Sequence, residues 1–236
     1  MITFKRILLT FSFILMVGLN ASAYTEVPGF DGETWLDHVS EDDIFNPNFG
    51  DGSEGNPWKI QSAEGLAYLA LKVKEGNTYD GVYFEIAKDI NLGTNGIVRI
   101  WVPIGPDTEH AFKGTIKNGS DNQGNPYVIS GMTIRANGIG TTRNFGLFGL
   151  LHGKVEGLVI RNANITVNTD DDFAIGTLCG EFGTSENGKR LGSVSRCTVE
   201  GTNITTSSSS SPYLATIHNF IPEQPKNSGI NSFIDG

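Results

Sequence analysis

Fourteen residues, Gly153-Lys154-Val155-Glu156-Gly157-Leu158-Val159-Ile160-Arg161-Asn162-Ala163-Asn164-Ile165-Thr166, recur as Gly192-Ser193-Val194-Ser195-Arg196-Cys197-Thr198-Val199-Glu200-Gly201-Thr202-Asn203-Ile204-Thr205, and every matched pair is 39 positions apart. A constant period of this size belongs to chains of stacked units, none of which buries its apolar face alone. The copies alternate like strands rather than recurring at helical spacing, so the chain is expected to be all-β and to wind as a solenoid. Val155, Leu158, Ile160, Val194, Cys197 and Val199 are its expected inward positions.

Weaker matches extend the pattern. Leu178 and Ile217, and Ala174 and Tyr213, are again 39 apart. Ile129, Met132 and Ile134 match Val155, Leu158 and Ile160 at an offset of 26, and a degraded copy surfaces at Ile230 and Phe233. Constant strand positions with a variable period mean loops of different length projecting between constant strands. The last copy reaches Gly236 incomplete, which suits a weakly ordered final turn or a truncated member of a longer protein.

The first residues read as an export signal: Lys5 and Arg6, an apolar run from Ile7 to Leu19, then the small-residue cleavage site Ala21-Ser22-Ala23. That run is shorter than the roughly 20 residues of a spanning helix. The expected mature chain starts at Tyr24, secreted or on the outer cell surface. Removing residues 1–23 takes away two bases and no acid, leaving 15 bases against 26 acids. Nucleic acid and anionic membrane surfaces are poor partners for such a chain. Cys179 and Cys197 both fall in apolar, inward positions, where a thiol behaves as a small hydrophobe.

Four segments follow: the signal (1–23), an acidic stretch without periodicity (24–48), an N-terminal cap with the first strands (49–110), and the repeats (111–236). In the acidic stretch Trp35 and Leu36 stand isolated among Asp and Glu, which reads as a loosely docked leader. Ser62 is a helix N-cap. Leu66, Leu69, Ala70 and Val73 then form one apolar face over residues 62–75, and Gly76 stops the helix. One amphipathic helix ahead of a run of strands suits a cap on the open end of a solenoid. Val82, Phe84 and Ile86 alternate as a strand, and so do Ile100, Val102 and Ile104 before the Gly105-Pro106 turn.

Chemistry-bearing clusters are few. Asp170, Asp171 and Asp172 suit either calcium or a solvated loop, and adjacent carboxylates point different ways, which favours the loop. Arg135 and Arg161 fall in equivalent slots with Glu200 one copy on, either a base-and-cation stack or an outward polar ladder. Asn164 and Asn203 open sequons but are better explained as an asparagine ladder between copies. Trp35, Tyr79 and Tyr127 are aromatics for stacking sugars, with core or turn packing as the stronger reading. The loops whose length changes while flanking strands persist are Asp170–Asp172, Ser185–Arg190 (with Asn187, Lys189 and Arg190) and Ser207–Ser211. They are the candidate binding loops, because loops carry binding on rigid scaffolds.

Gly146-Leu147-Phe148-Gly149, followed by Gly153-Lys154-Val155-Glu156-Gly157-Leu158, resembles the GLUG motif of bacterial exported proteins. Gly52 to Ile60 is similar to the opening motif of that family, and Trp101-Val102-Pro103-Ile104-Gly105 with Phe112 to Ile116 to its central one. The resemblance spans roughly residues 49–206 and departs in the second copy, where Ser185 to Arg190 is inserted. It implies a right-handed parallel β-helix of the pectate-lyase type. Such repeats accompany surface adhesins and the non-catalytic parts of immunoglobulin A1-specific metallopeptidases. His38, His110, His152 and His218 are scattered and form no His-Glu-x-x-His, and no Gly-x-Ser-x-Gly elbow is present. The expected function is non-catalytic binding of a glycan or protein ligand outside the cell, without a cofactor. The alternative is a polysaccharide lyase-like enzyme on the same scaffold.

Overall fold

Strands form at the alternating apolar segments, and the two copies of the repeat pair with each other at the 39-residue offset. The structure, a computed structural model, describes residues 27–93, 96–138, 140, 142–185, 187–188, 191–207 and 213–214. The expected export signal, Ile217, and Ile230 and Phe233 lie outside these residues. A first stretch contains β1 (Trp58–Ile60), helix α1 (Ala63–Lys74), β2 (Tyr83–Ile86) and β3 (Ile90–Asn91). The next passage runs β4 (Thr115–Asn118), β5 (Val128–Ser130), β6 (Thr133–Asn137), β7 (Asn144–Phe145) and β8 (Phe148–Leu151). The passage after it runs β9 (Lys154–Glu156), β10 (Val159–Arg161), β11 (Asn164–Asn168), β12 (Ala174–Ile175) and β13 (Cys179–Phe182). The last contains β14 (Ser193–Ser195), β15 (Thr198–Glu200), β16 (Asn203–Ser207) and β17 (Tyr213–Leu214).

These strands make five sheets, ordered β1-β2-β4-β9-β14, β3-β5-β10-β15, β6-β11-β16, β7-β12-β17 and β8-β13. All strand pairs in them are parallel. The passages from β4 and from β9 visit all five sheets in the same order, the passage from β14 visits four of them among the described residues, and the 39-residue repeat is the register between these last two passages. Val155 pairs with Val194, Ile160 with Val199, Ile165 with Ile204 and Ala174 with Tyr213.

Alternation sends one set of side chains into a common core. Val155, Leu158, Ile160, Ile165 and Val167 are each at most 1% exposed, and Cys197 and Val199 are also buried, while Val194 in the last passage is half-buried. Phenylalanines stack through the passages: Phe84 to Phe112 at 6.1 Å between centroids and Phe112 to Phe148 at 5.6 Å. Such offset pairs add to the area they bury. Both thiols are buried, each against carbonyl oxygens of its own turn or the neighbouring strand.

Four expectations need correction. The offset of 26 between Ile129 and Val155 is not the register: Ile129 pairs with Ile160 and Ile134 with Ile165, at an offset of 31. The β9 and β14 passages each have two left-handed turns and the β4 passage has one of them, and at Gly131 and Gly157 both kinds read as Gly followed by apolar residues. Gly131 (φ 70°) belongs with Asn162 (φ 56°) and Gly201 (φ 64°), whereas Gly157 (φ 72°) belongs with Arg196 (φ 53°). By the same register Arg135 faces Thr166, so Arg135 and Arg161 are not equivalent. Residues 100–104 are not a regular strand. Ile100, Trp101, Val102 and Ile104 are all at most 1% exposed, buried in succession rather than alternately, with single bridges at Ile100 and Ile104.

Nor is the acidic stretch loosely docked. Trp35 is 2% exposed, donates its indole N–H to the Leu92 carbonyl at 3.1 Å and lies under the Arg99 guanidinium. Val27, Phe30 and Ile44 are buried with it. Phe30 bridges Ala136 antiparallel, and Asp31 N–H donates to the Arg135 carbonyl at 3.1 Å. The segment thus satisfies the open edge of β6, which would otherwise template further pairing. α1 forms as expected: the Ser62 hydroxyl accepts from Gly65 N–H at 3.0 Å and donates to Asp43 at 2.7 Å. Its apolar face, Leu66, Leu69, Ala70 and Val73, is buried.

Candidate functional site

Polar residues alternate with the core residues and so line up on the outer faces of the sheets. Lys59, Glu85, Lys117 and Glu156 stand in register across β1, β2, β4 and β9, alternating in sign. Lys59 and Glu85 pair at 2.7 Å, the Lys117 ammonium lies 5.5 Å from the Tyr83 ring centre, and Arg196 pairs with Glu156. On β10 and β15, Arg161 donates to Glu200 at 2.7 Å. These two neutralise each other, and Arg135 stands in another sheet, so no stack of cations forms. On β6, β11 and β16 the Asn168 amide donates to Asn137 at 3.0 Å, and the Ser207 hydroxyl donates to Asn168 at 2.8 Å. Asn203 donates to Asn164 at 3.4 Å, forming the expected ladder.

The candidate loops lie at two junctions. Asp170, Asp171 and Asp172 follow β11 as an exposed turn closed by the Thr169 hydroxyl, which accepts from Asp171 N–H at 3.1 Å. Ser207 ends β16 directly beside Asn168, so the segment after it leaves from the same junction. Ser211 lies outside the described residues. Asn187 is exposed in the turn between β13 and β14, a different junction, and Lys189 and Arg190 lie outside the described residues. Among the described residues no group of three or more His, Cys, Asp or Glu is placed to hold a metal ion. Of the aromatic candidates, Trp35 is core. Tyr79 stacks on Phe45 at 5.9 Å, and burial raises its hydroxyl to a pKa of about 12. Tyr127 is half-buried against the core.

A further loop escaped the sequence reading. Between β4 and β5 a hairpin projects, closed by an antiparallel bridge from Ser120 to Pro126. Asp121 organises its tip by accepting from Gln123 N–H, Asn125 N–H and the Asn125 amide, which together hold its carboxyl below the usual range. Asn118 anchors it, donating to the Tyr127 carbonyl at 2.8 Å and the Gly157 carbonyl at 3.0 Å. Between this hairpin and the β9 and β14 turns lies an open hollow of about 430 Å³, lined by Lys117, Asn118, Ser120, Pro126, Glu156 and Arg196 among others. The sequence signals were the turn-forming run Gly119 to Pro126 and the replacement of Gly157 by Arg196 between the copies. A second hollow, of about 420 Å³, lies where Trp35 and Arg99 meet the start of α1.

No family model matches the chain, and no solved structure matches it. Halomucin of Haloquadratum walsbyi is 34% identical to it over 100 residues, 39% of this chain. The match spans about 1% of Halomucin's own length. No helix among the described residues is long and apolar enough to cross a membrane.

Proposed function

We propose that this chain is an exported binding protein of the GLUG type. Its parallel sheets close into a right-handed β-helix that displays loops and polar faces to a glycan or protein ligand outside the cell. The observation that carries the reading is the repeated visiting of the same sheets in the same order, with connections of unequal length between constant strands. Parallel strands joined by crossovers within one sheet are overwhelmingly right-handed, which gives the hand. A scaffold of this kind holds strands rigid while loops vary, and binding residues concentrate on such loops. The apolar run before Ala23 supports export, and the likeness to part of Halomucin is compatible with an extracellular setting.

The reading assigns no catalytic group: Arg161 is neutralised by Glu200, and the loops at 170–172 and 185–190 leave from different junctions. The binding surface is expected on the loops Asp170–Asp172, Ser185–Arg190 and Ser207–Ser211 or on the hairpin beside them. The test replaces each loop by Gly-Ser and compares binding to a panel of glycans and mucins. Loss of binding in one variant with its melting temperature kept supports the reading. Unchanged binding in every variant removes these loops from it. Recovery of the protein outside the cell with Tyr24 at its N-terminus is the expected sign of export.

A further inference from the structure

We infer that the hollow between the 119–126 hairpin and the β9 and β14 turns is a binding site for an anionic sugar, a pyranose bearing a carboxylate. The inference rests on the extracellular binding role and names its ligand class and place. Three independent observations meet there.

The first is charge. The chain carries a formal net charge of −9, yet the outer face of this one sheet presents Lys59, Lys117 and Lys154, with Arg196 at its margin, against only Glu85 and Glu156. Lys117 makes no ion pair among the described residues. It stands between Glu85 and Glu156, with its ammonium over Tyr83. Asp121, the nearest acid of the hairpin, turns its oxygens into the hairpin's own N–H groups.

The second is backbone. Arg196 sits at φ 53°, in the left-handed region, at the position where the preceding passage has Gly157 at φ 72°. An arginine is strained where glycine is not, and such strain clusters at binding sites as well as at turns. Its side chain is 64% exposed and reaches Glu156 at the hollow.

The third is the hairpin itself. It is inserted only in the passage that carries Lys117, and it supplies the wall of a depression that would otherwise be a flat sheet face. Its lining joins Lys117, the Arg196–Glu156 ion pair and the Ser120 hydroxyl, with Gly119, Gly124 and Gly157 at its rim. Guanidinium and ammonium groups hold a carboxylate by charge-assisted hydrogen bonds, while a carboxylate and a hydroxyl pair with ring hydroxyls. The hollow's volume lies within the range of small-ligand sites.

The test titrates the protein with trigalacturonate and with neutral galactotriose, alongside Lys117→Gln and Arg196→Gly. Arg196→Gly relieves the left-handed strain, so it should fold at least as stably as the parent. The expected result is binding of trigalacturonate that weakens with salt, falls tenfold or more in each variant, and exceeds binding of galactotriose at least tenfold. Equal binding by Arg196→Gly, or equal affinity for the neutral trimer, overturns the site. Binding of other glycans that both variants keep overturns the site while leaving the binding role standing. If neither the parent nor the variants bind any member of the panel, both fall.

Discussion

At the residue scale, the constraints come from how closely successive passages approach. A Cβ on Gly153 would run into the Gly114 carbonyl oxygen, and one on Gly149 into that of Gly105. Both obstacles are backbone, so neither can swing aside. Gly153→Ala should cost about 3 kcal/mol through overpacking, read as a lower midpoint in urea; an unchanged midpoint would mean the passages are not in contact there. Leu158, 1% exposed, gives the complementary case: Leu158→Asp buries an unpaired carboxylate and should cost about 4 kcal/mol. Arg196→Gly should go the other way, raising stability by about 1 kcal/mol, because left-handed backbone is unfavourable for any residue with a Cβ. Burial, with Lys113 nearby, holds the His152 imidazole below its ordinary 6.5. Below pH 6.5 the unfolded chain takes up a proton there that the folded chain resists. This group therefore lowers stability as pH falls through that range and adds nothing above it. His152→Gln should flatten the fall in melting temperature between pH 6.5 and 5, whereas an unchanged profile would assign that fall to other groups.

At the element scale, strands with regular alternation were legible in the sequence and irregular segments were not. β2, α1 with its Ser62 cap, and the β9–β11 and β14–β16 strands lie where apolar periodicity placed them. The 31-residue step was missed because Gly131 and Gly157 serve different left-handed turns with near-identical neighbours. Trp35 was misread because its partners, Leu92 and Arg99, are far along the chain and local polarity masks them. Long-range edge protection leaves no periodic trace. Trp35→Ala should cost roughly 4 kcal/mol. Removal of residues 27–38 should expose the β6 edge and promote association, visible as higher-order species in sedimentation; a monomeric deletion variant of parent stability would contradict the edge-covering role.

At the scale of the whole molecule, parallel sheets hold successive passages in register, outward positions line up as side-chain ladders, and the connections between strands carry the variation. The candidate loops were legible as length changes between copies. The groove beside Arg196 was not, because it needs two passages and a hairpin to come together. On β6, β11 and β16 the Asn137–Asn168–Ser207 series is satisfied by its own neighbours. The proposed function is capture of a glycan or protein ligand without cleaving it. The measurement that tests it most directly incubates the protein with immobilised glycans and mucins, recording retained protein and released sugar in the same wells. Retention on at least one acidic glycan is expected, with release no greater than in buffer. Release of unsaturated or shortened products above buffer, or no retention on any surface, would contradict it.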